Sequence, residues 1–297
     1  MNLTCLSILM HTILMLGAGE PAQVIVKVNG TAITESDVVF SATTRQLKPE
    51  QRAEQESKLV DELVDRQLVR DFLARRKISA PADELVFQIQ QAEDAIKKHG
   101  DDPATLLAKL GYTSERLKAE LGLPLAWQAY VRQTVTLPQT KEYFENHRAE
   151  LDGTQLRARQ IFLKLPPNPT EAEQAAKRSQ LKELRSQIES GKLTFADAAR
   201  KYSESPSKEQ GGDVGLFGAR GKLPTPVTRA AFALKVNELS EPIVSTFGVH
   251  LIQVTERIPG DLSLEDVRSE IISKLSDQLW ADTVRNERKS AKIERAK

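Results

Sequence analysis

The side chains of this sequence that could do chemistry are few, and they gather between Arg157 and Glu256. His250 stands in Ser245-Thr246-Phe247-Gly248-Val249-His250-Leu251-Ile252, which reads as a turn feeding an alternating, β-branched strand with one histidine on it. With the hydroxyl of Ser245 five residues earlier, that histidine could hydrogen-bond near a substrate, or it could be a buried structural residue held by the serine. Both readings stay open on these residues alone. The run Gly211-Gly212-Asp213-Val214-Gly215-Leu216-Phe217 is a glycine-rich turn entering an aromatic residue. It lacks the strand before, the helix after and the Lys-Ser/Thr ending of a phosphate loop, so nucleotide chemistry is not expected. Phe217, Leu223 and Val227 could equally be ordinary core residues. His99 and His147 are lone histidines in charged contexts and are expected at the solvated surface.

The elements that must position these residues follow from periodicity. Leu156 to Leu163 reads as a strand and Pro166-Pro167-Asn168-Pro169 as the loop that ends it. Thr170 with Glu173 forms a capping box for a helix that should turn Ala172, Ala175, Leu184 and Ile188 inward, and Gly191 closes it. A shorter helix from Thr194 carries Phe195, Ala198 and Ala199. Ser203 to Gly212 reads as a polar loop, Arg229 to Leu234 as a short helix and Val249 to Thr255 as the last strand. Strands and helices in this order make a small α+β domain.

The remainder is mainly helical. Val24 to Val28 is an extended segment running into the turn dipeptide Asn29-Gly30. Thr34 with Asp37 is a capping-box variant, and Lys58 to Arg76 places Leu59, Val60, Leu63, Val64, Leu68 and Phe72 on one helical face. Lys58, Glu62 and Arg66, four apart on the other face, can support that helix through alternating charge. Further helices are expected over Pro81 to Lys98, Pro103 to Lys109, Thr113 to Thr134 and about Pro138 to Arg148. After Pro259-Gly260, Ser263 opens a helix with the stripe Leu264, Val267, Ile271, Leu275 and Leu279, and its charged tail, Arg285 to Lys297, is expected to fray.

At 297 residues and 40% hydrophobic the chain can build one large or two modest cores, and its formal charge of +1 gives no argument for nucleic acid or a membrane surface. The apolar run Leu6 to Gly17, ending in Leu16-Gly17-Ala18-Gly19, is too short for a transmembrane helix and matches a secretory signal in length, without the usual positive n-region. Removal of residues 1–19 would remove Cys5, the single cysteine, and with it disulfide and thiol chemistry.

On Gly211 to Phe217, Ala230 to Pro242 and Ser245 to Ile252, the stretch from Arg157 to Glu256 resembles the parvulin family of peptidyl-prolyl cis-trans isomerases. The first half, with Val28-Asn29-Gly30 and Ile33-Thr34-Glu35-Ser36-Asp37, resembles the opening of SurA-type and PrsA-type secreted chaperones. The resemblance implies a signal peptide over 1–19, a helical chaperone region over 20–150, an isomerase domain over 154–257 inserted in that lobe, and a C-terminal helix over 261–297 returning to pack on it. It also implies catalytic positions. His250 matches a family histidine and Ser245 a family threonine, Gln160 stands where the family has its other histidine, and Ser205 stands where it has cysteine or aspartate. Phe217, Leu223, Val227 and Phe247 are the substrate-binding positions, with Val227 in place of a phenylalanine. The same resemblance implies an exported, periplasmic foldase that takes unfolded or proline-containing polypeptides, needs no cofactor or metal, binds no nucleic acid, stays out of the membrane once processed and could form a homodimer. The neutral Gln160 and Ser205 leave a second reading open, a weakly catalytic parvulin fold whose helical lobe does the binding.

Overall fold

The hairpin that opens the chain is set by two residues. Asn29 and Gly30 have φ of 49° and 89°, the left-handed pair of a two-residue turn whose twist matches its strands, so β1 (Val24–Val28) returns as β2 (Thr31–Thr34) with Val28 opposite Thr31. The computed structural model describes residues 23–296 except His99 and Leu110, so the expected signal segment and the reading of His99 lie outside the described residues. Helices α1 (Glu35–Thr44), α2 (Pro49–Arg75), α3 (Ala82–Lys98), α4 (Pro103–Lys109) and α5 (Ser114–Thr134) follow. Next come α6 (Leu137–Asn146), α7 (Arg148–Leu151), β3 (Gln155–Lys164), α8 (Glu171–Glu189), α9 (Phe195–Tyr202), β4 (Asp213–Phe217), α10 (Thr225–Ala233), β5 (Ile243–Val244), β6 (Gly248–Ile258), α11 (Leu264–Ser290) and β7 (Ile293–Arg295). They divide into two compact units, one running to Thr136 and taking up Ile272–Lys297, the other Leu137–Ile271.

In the first unit the stripe of α2 splits between two cores. Leu59, Val60, Leu63, Val64 and Leu68 pack on Val26, Val28 and Ile33 of the hairpin, while Val69, Phe72 and Leu73 pack with Leu123, Trp127 and Val131 of α5 and Val284 of α11. Each such side chain removed from water contributes about 1.5–3 kcal/mol, against which the ordering of long helices must be set. Trp127 also donates its indole N–H to Ser276 at 2.9 Å. The expected mutual support of Lys58, Glu62 and Arg66 is replaced by partners distant in sequence: Glu62 pairs with Arg45, and Arg66 and Arg70 both grip Glu120 of α5. The tail does not fray. Helix α11 runs to Ser290 and β7 adds to β1, Val28 opposite Ile293, with Arg288 on Asp65 and Arg295 on Asp61 at 2.8 Å. Charge density argued for solvation; the unpaired edge of β1 and the acidic face of α2 supply partners that sequence proximity could not show.

The second unit is a four-stranded sheet in the order β4-β3-β6-β5, every neighbouring pair antiparallel. Alternation along the strands sorts its two faces. Ile161, Leu163, Val249 and Leu251 face Leu181 and Leu184 of α8 and Phe195, Ala198 and Ala199 of α9. Leu156, Ala158, Ile252 and Val254 face Val227, Ala231 and Phe232 of α10, together with Phe217. In α8 the inward residues include Leu181 with Leu184, whereas Ala172 and Ala175 are exposed, because only the C-terminal half of that helix lies over the sheet core.

Candidate active site

Gln160 and Phe162 follow Leu156 and Ala158 on one face of β3, and His250 precedes Ile252 and Val254 on the same face of β6. In the register Phe162 lies opposite His250 and Gln160 opposite Ile252. Helix α10 covers the Leu156 end of this face; the Phe162 end carries polar groups instead. The polar loop after α9 supplies the rest. Its φ-positive Gly212 (+85°) accepts from the Gln160 N–H through its carbonyl at 2.8 Å, and a Cβ added there would stand 2.5 Å from the Gln160 carbonyl oxygen. Only glycine allows the loop to lie this close to the strand. At the other end of the site Gly248 lets β6 start against Leu163, whose carbonyl oxygen would lie 2.2 Å from an added Cβ.

The four polar residues expected to act together do meet. His250, 4% exposed, has Nε2 2.8 Å from the Ser245 hydroxyl and Nδ1 3.3 Å from Gln160 Oε1. Gln160 Nε2 donates to Ser205 Oγ at 2.9 Å. Burial pushes the His250 pKa down to about 4, so the ring is neutral at pH 7. A neutral imidazole carries one proton, and with Gln160 Oε1 facing Nδ1 that proton sits on Nδ1, leaving Nε2 to accept from Ser245. The Phe162 ring lies 4.7 Å from His250, centroid to centroid, and walls it on one side. The site therefore offers hydrogen bonds and a water-poor surface, with no formal charge among these four side chains.

Three residues of the cluster were not singled out from sequence. Ser203 accepts from the Phe162 N–H at 3.0 Å and from the Ser205 N–H at 3.2 Å, and Ser207 Oγ is 3.0 Å from Ser205 Oγ. Phe162 is the third. The spacing Ser203, Ser205, Ser207 is the signal available, since a serine hydroxyl can accept from the backbone N–H two residues on, as Ser203 and Ser205 do here.

The apolar positions separate. Leu223 is half-buried and Phe247 is 63% exposed, so both can touch a ligand. Phe217 is 4% exposed and stands edge-on to Phe232, rings 6.4 Å apart. Val227 is fully enclosed. Pro226 at the first turn starts α10 at Thr225, four residues before the helix expected from sequence, and Val227 packs into the core with Phe217, Ala231 and Phe232. His147 also differs, since its Nδ1 lies 2.9 Å from the Tyr143 carbonyl and its ring stacks on Tyr143 at 4.1 Å.

Residues 161–256 match the PPIC-type PPIase domain of the Rotamase family, a span that begins one residue after Gln160 and includes Ser205, Ser245 and His250. Foldase protein PrsA 4 of Bacillus cereus is 30% identical over 270 residues, covering 89% of this chain and 82% of that protein. Chaperone SurA of Cupriavidus metallidurans is 38% identical over 144 residues, 47% of this chain but 28% of SurA. A crystal structure of the peptidylprolyl isomerase PrsA from Bacillus cereus aligns over 91% of this chain and 92% of its own at 26% identity, with a TM-score of 0.49. With a sheet face that carries the hydrogen-bonded set Ser205, Gln160, His250 and Ser245 inside a PPIC-type domain, and a PrsA relative matched over most of its length, the chain belongs to the PrsA family of foldases and carries a parvulin-type isomerase domain.

Proposed function

We propose that this protein is a peptidyl-prolyl cis-trans isomerase and folding chaperone for exported proteins, acting on Xaa-Pro bonds of unfolded or proline-containing polypeptides without a covalent intermediate. The isomerase proper is assigned to 154–257 and the client-holding lobe to 20–150 with 261–297. The observation that carries the reading is the neutral, connected set Ser245, His250, Gln160 and Ser205 on a buried sheet face whose neighbours include the solvent-facing Phe247, the Phe247 N–H donating to Ser245 Oγ at 3.1 Å. Rotation of a prolyl amide is opposed by a barrier of about 18–20 kcal/mol, because twisting the C–N bond ends its resonance. Nothing need be broken or transferred. A site lowers the barrier by holding the ring on apolar surface, the role we assign to Leu223, Phe217 and Phe247, while oriented hydrogen-bonding groups favour the twisted amide over the planar one that water solvates well.

A second reading is favoured by the enclosure of Val227 and by the uncharged Gln160 and Ser205: the fold binds proline segments but turns them over slowly, and the helical lobe does most of the work. One experiment addresses both. Isomerisation of short Xaa-Pro peptides is measured for the full chain, Leu223→Ala, and the double variant Gln160→His with Ser205→Asp. The expected result is turnover in the wild type, a several-fold loss in Leu223→Ala as packing worth a few kcal/mol at most is trimmed, and a gain in the double variant. Equal rates for all three folded proteins, at the uncatalysed level, would refute the enzymatic reading. We also propose export to the periplasm with the mature chain outside the bilayer; no helix among the described residues is long and apolar enough to cross a membrane. N-terminal sequencing of the protein from its host should find residues 1–18 absent, and a full-length cytosolic chain would refute export.

A further inference from the structure

We infer that Ser207 is a positioning residue of the isomerase site: as the end of a directional hydrogen-bond relay, it fixes through Ser205 and Gln160 which nitrogen of His250 carries the proton. The inference rests on the isomerase reading for its catalytic consequence and on geometry alone for its structural one. Ser205 Oγ receives two donors, the Gln160 amide at 2.9 Å and the Ser207 backbone N–H at 3.3 Å. Both of its lone pairs are then used, and its one proton goes to the acceptor beside it, Ser207 Oγ at 3.0 Å. That choice propagates. With the Ser205 proton turned away from Gln160, the amide nitrogen faces Ser205 and the amide oxygen faces His250 Nδ1, so Nδ1 is protonated and Nε2 accepts from Ser245. The Phe247 N–H at 3.1 Å from Ser245 Oγ starts the same sequence of donors.

Without the Ser207 hydroxyl, the Ser205 proton turns back toward Gln160. The amide then flips, its nitrogen donates to His250 Nδ1, and the ring proton moves to Nε2, where Ser245 can accept because its own hydroxyl has the Gly248 carbonyl at 3.3 Å. Every group is satisfied in this reversed order too, so what the Ser207 hydroxyl supplies is the acceptor for the Ser205 proton that the first order needs and that alanine removes. In the first order the Ser207 proton is free for a bound amide. In the second, no hydroxyl proton of the relay faces outward. Ser207 is half-buried, and its backbone carbonyl receives the Gly212 and Gln210 N–H groups, bonds that a side-chain change leaves intact.

The test reads the His250 tautomer by ring nitrogen and proton correlations in the full-length protein, beside isomerisation kinetics. The wild type should show the Nδ1-protonated ring. Ser207→Ala should shift it to the Nε2 form and lower kcat about three- to tenfold, the worth of one hydrogen bond, with KM unchanged. Ser207→Thr should restore both. Should alanine lower the melting temperature, Ser207→Cys, of similar shape but a poor acceptor, replaces it with the same expectation. A wild-type ring protonated on Nε2, or a Ser207→Ala ring unchanged from the wild type, would overturn the inference. The tautomer is read without turnover, so a wild type inactive on every proline peptide counts against the isomerase reading and leaves the ring assignment to decide on Ser207.

Discussion

Acidification should destabilise the isomerase unit through His250, and the size and direction follow from its burial. In an unfolded chain a histidine takes up its proton near pH 6.5; buried between Phe162, Gln160 and Ser245, His250 does so only at about 4. Above pH 6.5 the ring is neutral in both states and costs nothing. As pH falls from 6.5 toward 4 the unfolded state binds a proton that the folded state refuses, so folding stability declines across that window. At about 1.4 kcal/mol for each pH unit between the two values, the loss approaches roughly 3 kcal/mol, large beside the 5–15 kcal/mol typical of a domain. Both tryptophans, Trp127 and Trp280, belong to the other unit, so indole fluorescence would follow the wrong transition. The assay is urea unfolding at several pH values read by hydrogen exchange of β3 and β6 amides, with the His250 ring titrated by NMR. The control is His250→Gln, which retains hydrogen-bonding capacity and cannot titrate. Wild type should lose about 3 kcal/mol more than the variant between pH 7 and pH 4. Parallel losses in the two proteins, or a ring titrating near 6.5, would refute the reasoning.

Gly212→Ala should destabilise the same unit by about 1–3 kcal/mol, since it forces a side chain into a positive-φ residue against the Gln160 carbonyl; thermal unfolding with β3 exchange as the probe checks this, and an unaltered midpoint would show that the loop relaxes freely. Deleting residues 292–297 should lower the stability of the helical unit by about 1–3 kcal/mol, the net worth of a few ladder hydrogen bonds and the Arg295–Asp61 pair. Tryptophan fluorescence is the right probe there, and no change in the urea midpoint would mean that β7 contributes nothing to the fold.

The sequence by itself determined the elements whose signals are local. The Asn29-Gly30 turn, the Thr34 and Thr170 capping boxes and the stripe of α2 form as read, because each depends on residues within a turn or two of one another. Family resemblance, carried residue by residue, points to Gln160, Ser205, Ser245 and His250, and the fold brings these four into one hydrogen-bonded cluster. Tertiary structure alone decided the remainder. Which residue Glu62 pairs with, and whether the charged tail is solvated, depended on Arg45 and on the free edge of β1, neither of which is near in sequence. The enclosure of Val227 depended on where α10 begins and on the sheet beneath it. The serine spacing hints at Ser207, but its place beside the site depends on the loop being drawn onto β3 through Gly212, whose carbonyl takes the Gln160 N–H at 2.8 Å. Local chemistry writes the helices and turns; the direction of a hydrogen-bond relay is fixed by distances between segments some forty residues or more apart, and those exist only once the sheet has formed.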